Sequence, residues 1–93
     1  MKMNLFCLVG RLVEIKKIDN KKSTIVLRVR EEEKTFIFNV TIGTPLFSQI
    51  HKVVKQDALM GIHGVLSNNE EGSVELIADK ITFMAAKKEN END

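Results

Sequence analysis

Two alternating stretches of apolar and polar residues follow one another in the first half of the chain. Residues 24–30 place Ile25, Leu27 and Val29 on one face of a strand and Thr24, Val26, Arg28 and Arg30 on the other. Residues 36–42 repeat the pattern, with Phe36, Phe38, Val40 and Ile42 on one face and Ile37, Asn39 and Thr41 on the other. The charged turn at residues 31–34 joins the two stretches, so the pattern predicts a β-hairpin.

Three further apolar stretches indicate strands. Residues 4–14 predict a first strand, in which Gly10 indicates a bulge or a close approach of two backbones. Residues 59–66 and 74–84 predict a fourth and a fifth strand, joined by a polar turn at residues 67–72. In the fourth strand the apolar face comprises Met60, Ile62, Gly64 and Leu66.

A short helix is predicted between the third and fourth strands. Thr44 is a suitable N-cap and Pro45 suits the first helical position, which needs no backbone donor. Leu46, Ile50 and either Val53 or Val54 then recur at helical spacing. The polar residues 55–57 end the helix after two to three turns.

The order of three strands, a helix and two strands predicts a mostly β protein, a five-stranded OB-fold with Greek-key topology and one short helix between strands 3 and 4. A chain of 93 residues accommodates one core, so we expect one domain over residues 1–85. Residues 86–93 are polar and charged, and we expect a disordered tail there.

Composition narrows the class of protein. The 43% apolar content is that of a globular domain, and the single cysteine, Cys7, cannot form an intramolecular disulfide. No stretch approaches the roughly 20 apolar residues that cross a bilayer, and no signal-peptide cleavage site follows the first apolar run. We therefore expect a cytoplasmic protein without a membrane partner.

Charge is distributed unevenly although the net charge is only +1. Residues 11–30 carry seven basic residues against Glu14 and Asp19: Arg11, Lys16, Lys17, Lys21, Lys22, Arg28 and Arg30. The acidic residues gather at residues 31–33, at 70–71 and in the tail, where solvated turns and ends are expected. Either the basic third is a binding surface or it is a solvated strand face.

Three segments resemble one family. Residues 3–12 (MNLFCLVGRL), 61–66 (GIHGVL) and 75–84 (ELIADKITFM) are similar to the first, fourth and fifth strands of bacterial single-stranded DNA-binding proteins, a superfamily with primosomal accessory members. The resemblance implies an OB-fold that associates through strand 1, binds single-stranded DNA and works with replication or primosome proteins. An exposed edge of strand 1 also favours association, so we predict a homodimer, with a tetramer as the alternative.

The predicted binding site is basic. Arg28 and Arg30 face outward beside Ile37, Asn39 and Thr41, on the surface that OB-folds use for nucleic acid, and Arg11, Lys16, Lys17, Lys21 and Lys22 extend it. Aromatic residues contribute less, because the chain has no tryptophan or tyrosine. Phe36, Phe38 and Phe83 fall on apolar faces and are predicted to pack in the core, and Phe6 and Phe47 to pack against the core, the helix or a subunit interface.

Two functions remain open at this stage. The first is binding of single-stranded DNA without strong sequence preference, in replication, in recombination or on a mobile element. The alternative is an OB-fold protein-interaction or assembly module with weak or no affinity for nucleic acid. An enzyme is not expected, and no cofactor or metal is predicted, because His51, His63 and Cys7 lack partners at triad or metal-ligand spacing.

Overall fold

Five strands and one helix make up the structure, a computed structural model that describes residues 4–53 and 57–84, with only the backbone of residues 49 and 51–53. In chain order they are β1 (Phe6–Lys17), β2 (Lys22–Glu31), β3 (Lys34–Gly43), α1 (Thr44–Val53), β4 (Leu59–Asn68) and β5 (Val74–Phe83). The predicted element order is confirmed. The predicted tail at residues 86–93 and residues 55–56 of the predicted C-terminal end of the helix lie outside the described residues.

The strands close into a barrel in the order β1-β2-β3-β5-β4. Neighbouring strands are antiparallel except β3 and β5, which run parallel and are joined by the pairs Val40–Leu76 and Thr41–Ile77. A closed five-stranded barrel with a helix between its third and fourth strands is an OB-fold, as the sequence predicts.

Strand β1 is shared between the two halves of the barrel. It pairs with β4 over residues 6–11 and with β2 over residues 11–17. An irregularity in register between Leu12 and Glu14 accompanies this change of partner, since a bulge bends a strand and increases its twist.

The barrel interior is filled by the apolar faces that the sequence pattern predicts. The fully buried side chains are Ile25, Leu27, Val40, Ile42, Ile50, Met60 and Ile62. Ile50 belongs to α1, so the helix covers one end of the barrel with its apolar stripe. The Thr44 hydroxyl donates a hydrogen bond of 2.9 Å to the Asn20 carbonyl, which ties the start of α1 to the β1–β2 turn.

The two ends of the barrel differ. The β1–β2 turn at residues 18–21 and the start of α1 form what we call the helix end. Because β2 runs away from that turn and β5 is parallel to β3, the turns at residues 31–34 and 69–73 both lie at the opposite, open end. There the hairpins β2–β3 and β4–β5 extend beyond the residues that join β3 to β5.

Three side chains that were predicted to be buried are exposed. Phe36 and Leu66 lie on the predicted apolar faces but are 39% and 41% exposed. Phe36 lies four residues beyond the Val40–Leu76 pair, toward the open end, and Leu66 lies opposite Leu76 at the open-end limit of that junction. Phe83 is 42% exposed because it is the last residue of β5, at the other end of the barrel. Phe38, Phe6 and Phe47 are partly buried against the core, as predicted.

Two glycines allow close approach of backbones. A Cβ on Gly10 would lie 2.5 Å from the Arg28 carbonyl oxygen, so the predicted close approach is confirmed, and the bulge lies two to three residues later. A Cβ on Gly64 would overlap the Ile77 carbonyl oxygen and lie 2.7 Å from the Phe6 ring. Neither backbone atom can move away without breaking the sheet.

We therefore expect Gly64→Ala to lower the free energy of unfolding by about 1–3 kcal/mol, the usual cost of overpacking a well-packed site. Urea unfolding followed by circular dichroism measures this. Gly43→Ala is the matched control, because its Cβ would have only an ordinary 3.8 Å contact with Pro45. Equal stabilities of the two variants would contradict the assignment of Gly64 as a packing constraint.

Candidate nucleic-acid interface

Rows of side chains run across the outer surface of β1, β2 and β3. In the row nearest the open end, Arg11 lies opposite Arg28, and Arg28 lies opposite Ile37. The next two rows are Glu14, Val26 and Asn39, and then Lys16, Thr24 and Thr41. Residues directly opposite each other on antiparallel strands point to the same side, so these rows form one surface, which we call the β1–β3 face.

The β1–β3 face brings together most of the residues that the sequence predicts for binding. It holds Arg11, Lys16, Lys22, Arg28, Arg30, Ile37, Asn39 and Thr41. Lys17 lies opposite the buried Ser23 and therefore leaves the face at the end of β1, and Lys21 lies in the turn beyond it. The basic residues thus form a stripe along β2 with an extension at the helix end.

Asp57 holds two of the arginines. Its carboxylate Oδ1 lies 3.3 Å from Arg28 Nη2, and its backbone carbonyl accepts a hydrogen bond of 3.0 Å from Arg11 Nη1. The ion pair is largely exposed, so its own contribution to stability is small, about 0–1 kcal/mol. Its effect is to place two guanidinium groups side by side on the β1–β3 face.

The position of Asp57 is set by its backbone rather than by its carboxylate. Its N–H donates to the Leu12 carbonyl at 2.8 Å, and the Leu12 N–H donates to the Ala58 carbonyl at 3.0 Å. Asp57 also has a positive φ of 68°, a conformation that aspartate tolerates better than most residues. The segment after α1 is therefore fastened to β1 beside its bulge. Sequence reasoning missed this residue.

Thr41 is the β3 residue of the row that lies nearest the helix end. Its hydroxyl already has a hydrogen-bond partner within the protein. Its hydroxyl donates a hydrogen bond of 2.8 Å to the Glu75 carboxylate, across the parallel β3–β5 junction. An acid at this position repels phosphate. Of the predicted site residues on β3, Ile37 and Asn39 are exposed, whereas Thr41 is half-buried.

An aromatic pair lies at the open end, on the side of the β2–β3 hairpin that faces away from the β1–β3 face. The Phe36 and Phe38 rings stack with centroids 6.2 Å apart and an interplanar angle of 23°. Phe36 is the outer and more exposed member, and it neighbours Ile37, which is 57% exposed. The sequence pattern placed Phe36 in the core, but the flared hairpin makes its ring accessible.

The basic turn at the helix end is held by its own aspartate. Asp19 Oδ1 accepts hydrogen bonds from the backbone N–H groups of Lys21 and Lys22, at 2.7 and 2.8 Å. These bonds, together with the nearby lysine charges, lower the pKa of Asp19. The aspartate stays ionised at neutral pH and gives the turn a defined shape.

Other chemistry-bearing residues are dispersed. Cys7 and His63 lie opposite each other and are exposed on the outer face of β1 and β4, while the His51 side chain is outside the described residues. Residues 4–53 and 57–84 contain no group of three His, Cys, Asp or Glu side chains that could hold a metal ion. The one described helix is not long and apolar enough to cross a membrane.

Comparison with known proteins supports the fold. No protein-family model matches the sequence, and no curated protein is significantly similar to it. Solved structures do match over nearly the whole chain. A mitochondrial single-stranded DNA-binding protein of S. cerevisiae, Rim1, has a TM-score of 0.80 and 18% sequence identity, covering 95% of this chain and 100% of Rim1.

Two bacterial structures are also similar. The dimeric N-terminal domain of the PriB protein of Thermoanaerobacter tencongensis has a TM-score of 0.73 at 21% identity, covering 91% of this chain and 100% of that domain. The second single-stranded DNA-binding protein of Mycobacterium smegmatis, SSBb, has a TM-score of 0.68 at 16% identity, covering 94% and 98%. At these identities the similarity establishes the OB-fold.

Proposed function

We propose that this chain binds single-stranded DNA along the β1–β3 face, without strong sequence preference. The observation that carries this proposal is the alignment of Arg11, Arg28 and Arg30 on the outer surface of two neighbouring strands. Backbone contacts of this kind carry no sequence information, because every nucleotide presents the same phosphate.

The dimensions of the face suit a single strand. From Lys22 to Arg30 the stripe is about 26 Å long, at roughly 3.3 Å per strand residue. Ile37 lies on its open-end half, and the exposed Phe36 ring lies on the other side of the same hairpin, where a strand that passes around the hairpin could stack on it. In this arrangement the arginines contact phosphates. A basic groove flanked by stacking surface is the usual arrangement for binding single strands.

The structural neighbours support the same function. Rim1 and SSBb are named as single-stranded DNA-binding proteins, and they share the barrel over at least 94% of this chain. We propose accordingly that the chain acts in replication, in recombination or on a mobile element in the cytoplasm, with replication or primosome proteins as partners.

We further propose a homodimer formed through β1. Over residues 6–10, β1 pairs with β4 on one edge, and no described strand pairs with its other edge. The outer surface beside that edge is apolar, with Leu5 63% and Val9 46% exposed and Met84 folded over Gly61. Burial of exposed apolar residues and an open edge both favour association.

The alternative function also has support from particular contacts. Arg28 is paired with Asp57, and Thr41 with Glu75, so acidic groups already occupy two positions of the β1–β3 face. A protein-interaction module would retain such contacts without loss. Absence of oligonucleotide binding even at low salt would favour this alternative over the first proposal.

The substitution Arg28→Glu tests whether the β1–β3 face binds single-stranded DNA. We expect binding of a labelled poly-thymidine oligonucleotide to weaken about tenfold or more, since hydrogen bonds to charged groups contribute roughly 1.5–3 kcal/mol. The plot of log affinity against log salt should become shallower by about 0.7 per lost phosphate contact. Fluorescence anisotropy at several salt concentrations measures both quantities.

The control for that variant is Lys80→Glu, which makes the same change of charge on exposed β5 surface away from the β1–β3 face. It should bind nearly as the wild type does. If the two variants lose affinity equally, net charge rather than the arginine stripe governs binding, and the site assignment is wrong.

Phe36→Ala tests the aromatic contribution. Loss of a stacked base contact should weaken binding by roughly 1–3 kcal/mol with little change in salt dependence, because stacking involves no counterion release. Phe83→Ala removes a ring of similar exposure at the other end of the barrel and should leave affinity unchanged. Equal effects of the two substitutions would assign Phe36 a structural role only.

The substitution Val9→Glu tests whether the protein forms a dimer through the outer surface of β1. A charge on the apolar outer surface of β1 should convert the protein to a monomer, as measured by sedimentation equilibrium. Ile37→Glu, at a similarly exposed strand position on the β1–β3 face, should leave the mass unchanged. A wild-type protein that sediments as a monomer at micromolar concentration would rule out the proposed association.

A further inference from the structure

The open end of the barrel is acidic. The turns at residues 31–34 and 69–73 together carry five exposed glutamates against one lysine: Glu31, Glu32, Glu33, Glu70 and Glu71 against Lys34. None of these glutamates forms an ion pair with another residue in the described part of the chain. Both turns project beyond the closed part of the barrel, so their charges are available to a basic surface of another molecule.

Apolar side chains lie near these two acidic turns. Leu66 is 41% exposed, and Val74 is 68% exposed at the start of β5. Val74 and Leu66 also line a shallow depression with Asn68. Exposed apolar surface with a charged rim is typical of a site where another protein docks.

The helix end has the complementary character. Ile18 is 62% exposed in the β1–β2 turn, and Lys17 and Lys21, which lie off the β1–β3 face, are exposed beside it. The Asp19 carboxylate holds the turn in one conformation through two backbone N–H groups. The β1–β2 turn, which we call the basic tip, therefore presents lysine side chains and the exposed Ile18 in one defined conformation.

We propose that copies of this chain bound side by side on one single strand contact each other end to end, with the basic tip of one copy seated on the acidic open end of the next. This inference rests on the proposed function. Opposite charges and exposed apolar groups match on the two surfaces, which supports a second copy of the chain as the occupant. Such a contact joins two different surfaces and so propagates as an open chain rather than closing a dimer.

The arrangement is compatible with a continuous DNA path. The two surfaces lie at opposite ends of β2, about 30 Å apart at roughly 3.3 Å per strand residue. End-to-end contact therefore places the β1–β3 faces of successive copies one after another along the strand. Ile18 lies at the turn itself, while Lys16, Lys22 and the arginines remain on the face for phosphates.

The contact should appear as cooperative binding. The experiment compares a poly-thymidine oligonucleotide just long enough for one protein unit with one that holds several. The wild type should bind the long oligonucleotide cooperatively. Ile18→Glu and Glu70→Lys should each lower the cooperativity factor about tenfold, the scale of losing one anchor residue. Neither should change affinity for the short oligonucleotide by more than about threefold at 0.15 M salt, where the Debye length is about 8 Å.

The double variant Ile18→Glu with Glu70→Lys restores opposite charges on the two surfaces and should recover much of the cooperativity. Lys80→Glu, away from both ends, should retain it. Non-cooperative binding by the wild type, or unchanged cooperativity in both single variants, would overturn the proposal. So would loss of cooperativity without recovery in the double variant, because the contact would then use another surface.

The two proposals fail in different ways. If the wild type does not bind even the short oligonucleotide, the proposed function is wrong and the end-to-end contact on DNA is wrong with it. If the short oligonucleotide binds and the long one binds without cooperativity, only the contact is wrong. Tight binding of a lysine-rich peptide by such a non-cooperative protein would assign the open end to a basic partner protein instead.

Discussion

Two residue pairs between β3 and β5 close the barrel, and much of the remaining structure depends on where that short junction lies. Val40 and Thr41 meet Leu76 and Ile77 near the helix end, so the interior is sealed there and α1 covers it. Toward the open end β3 and β5 separate, and the two hairpins continue without a wall between them. The same sequence pattern that buries Val40 and Ile42 therefore leaves Phe36 accessible. A longer junction would bury more apolar surface, including the Phe36 ring.

Electrostatics on the β1–β3 face depends on a residue that belongs to neither of its hairpins. Asp57 reaches the face because the backbone around it is bonded to Leu12, and it holds Arg11 and Arg28 close together although both are positive. The Asp57 carboxylate restrains Arg28 and its backbone carbonyl restrains Arg11, and each guanidinium group keeps further N–H donors for another acceptor. The face is thus ordered before any ligand arrives, which reduces the entropy lost on binding.

The sequence predicts the fold well because short local patterns of residues determine the strands and the helix. Alternation along β2 and β3 assigns Ile25, Leu27 and Arg28 to their correct faces, and Thr44 with Pro45 marks the helix start. It fails where a side chain's environment depends on distant parts of the chain. Periodicity cannot show that Phe36 lies beyond the barrel closure, and no local pattern indicates that Asp57 contacts β1. That Arg11 lies opposite Arg28 also depends on the register of β1 against β2. The bulge between Arg11 and the β1–β2 turn changes that register, and no local pattern predicts it.

The division of β1 between two partners has a consequence for how the chain folds during synthesis. Residues 11–17 can pair with β2 as soon as the second strand leaves the ribosome, but residues 6–11 must wait for β4, about fifty positions later. Until then the first three strands form a meander whose apolar side has no cover and whose leading edge is open. Contacts of such sequence separation slow folding and prolong this exposure. Translation speed through the segment from α1 to β4 therefore governs how long each nascent chain can pair with a neighbour instead of with itself.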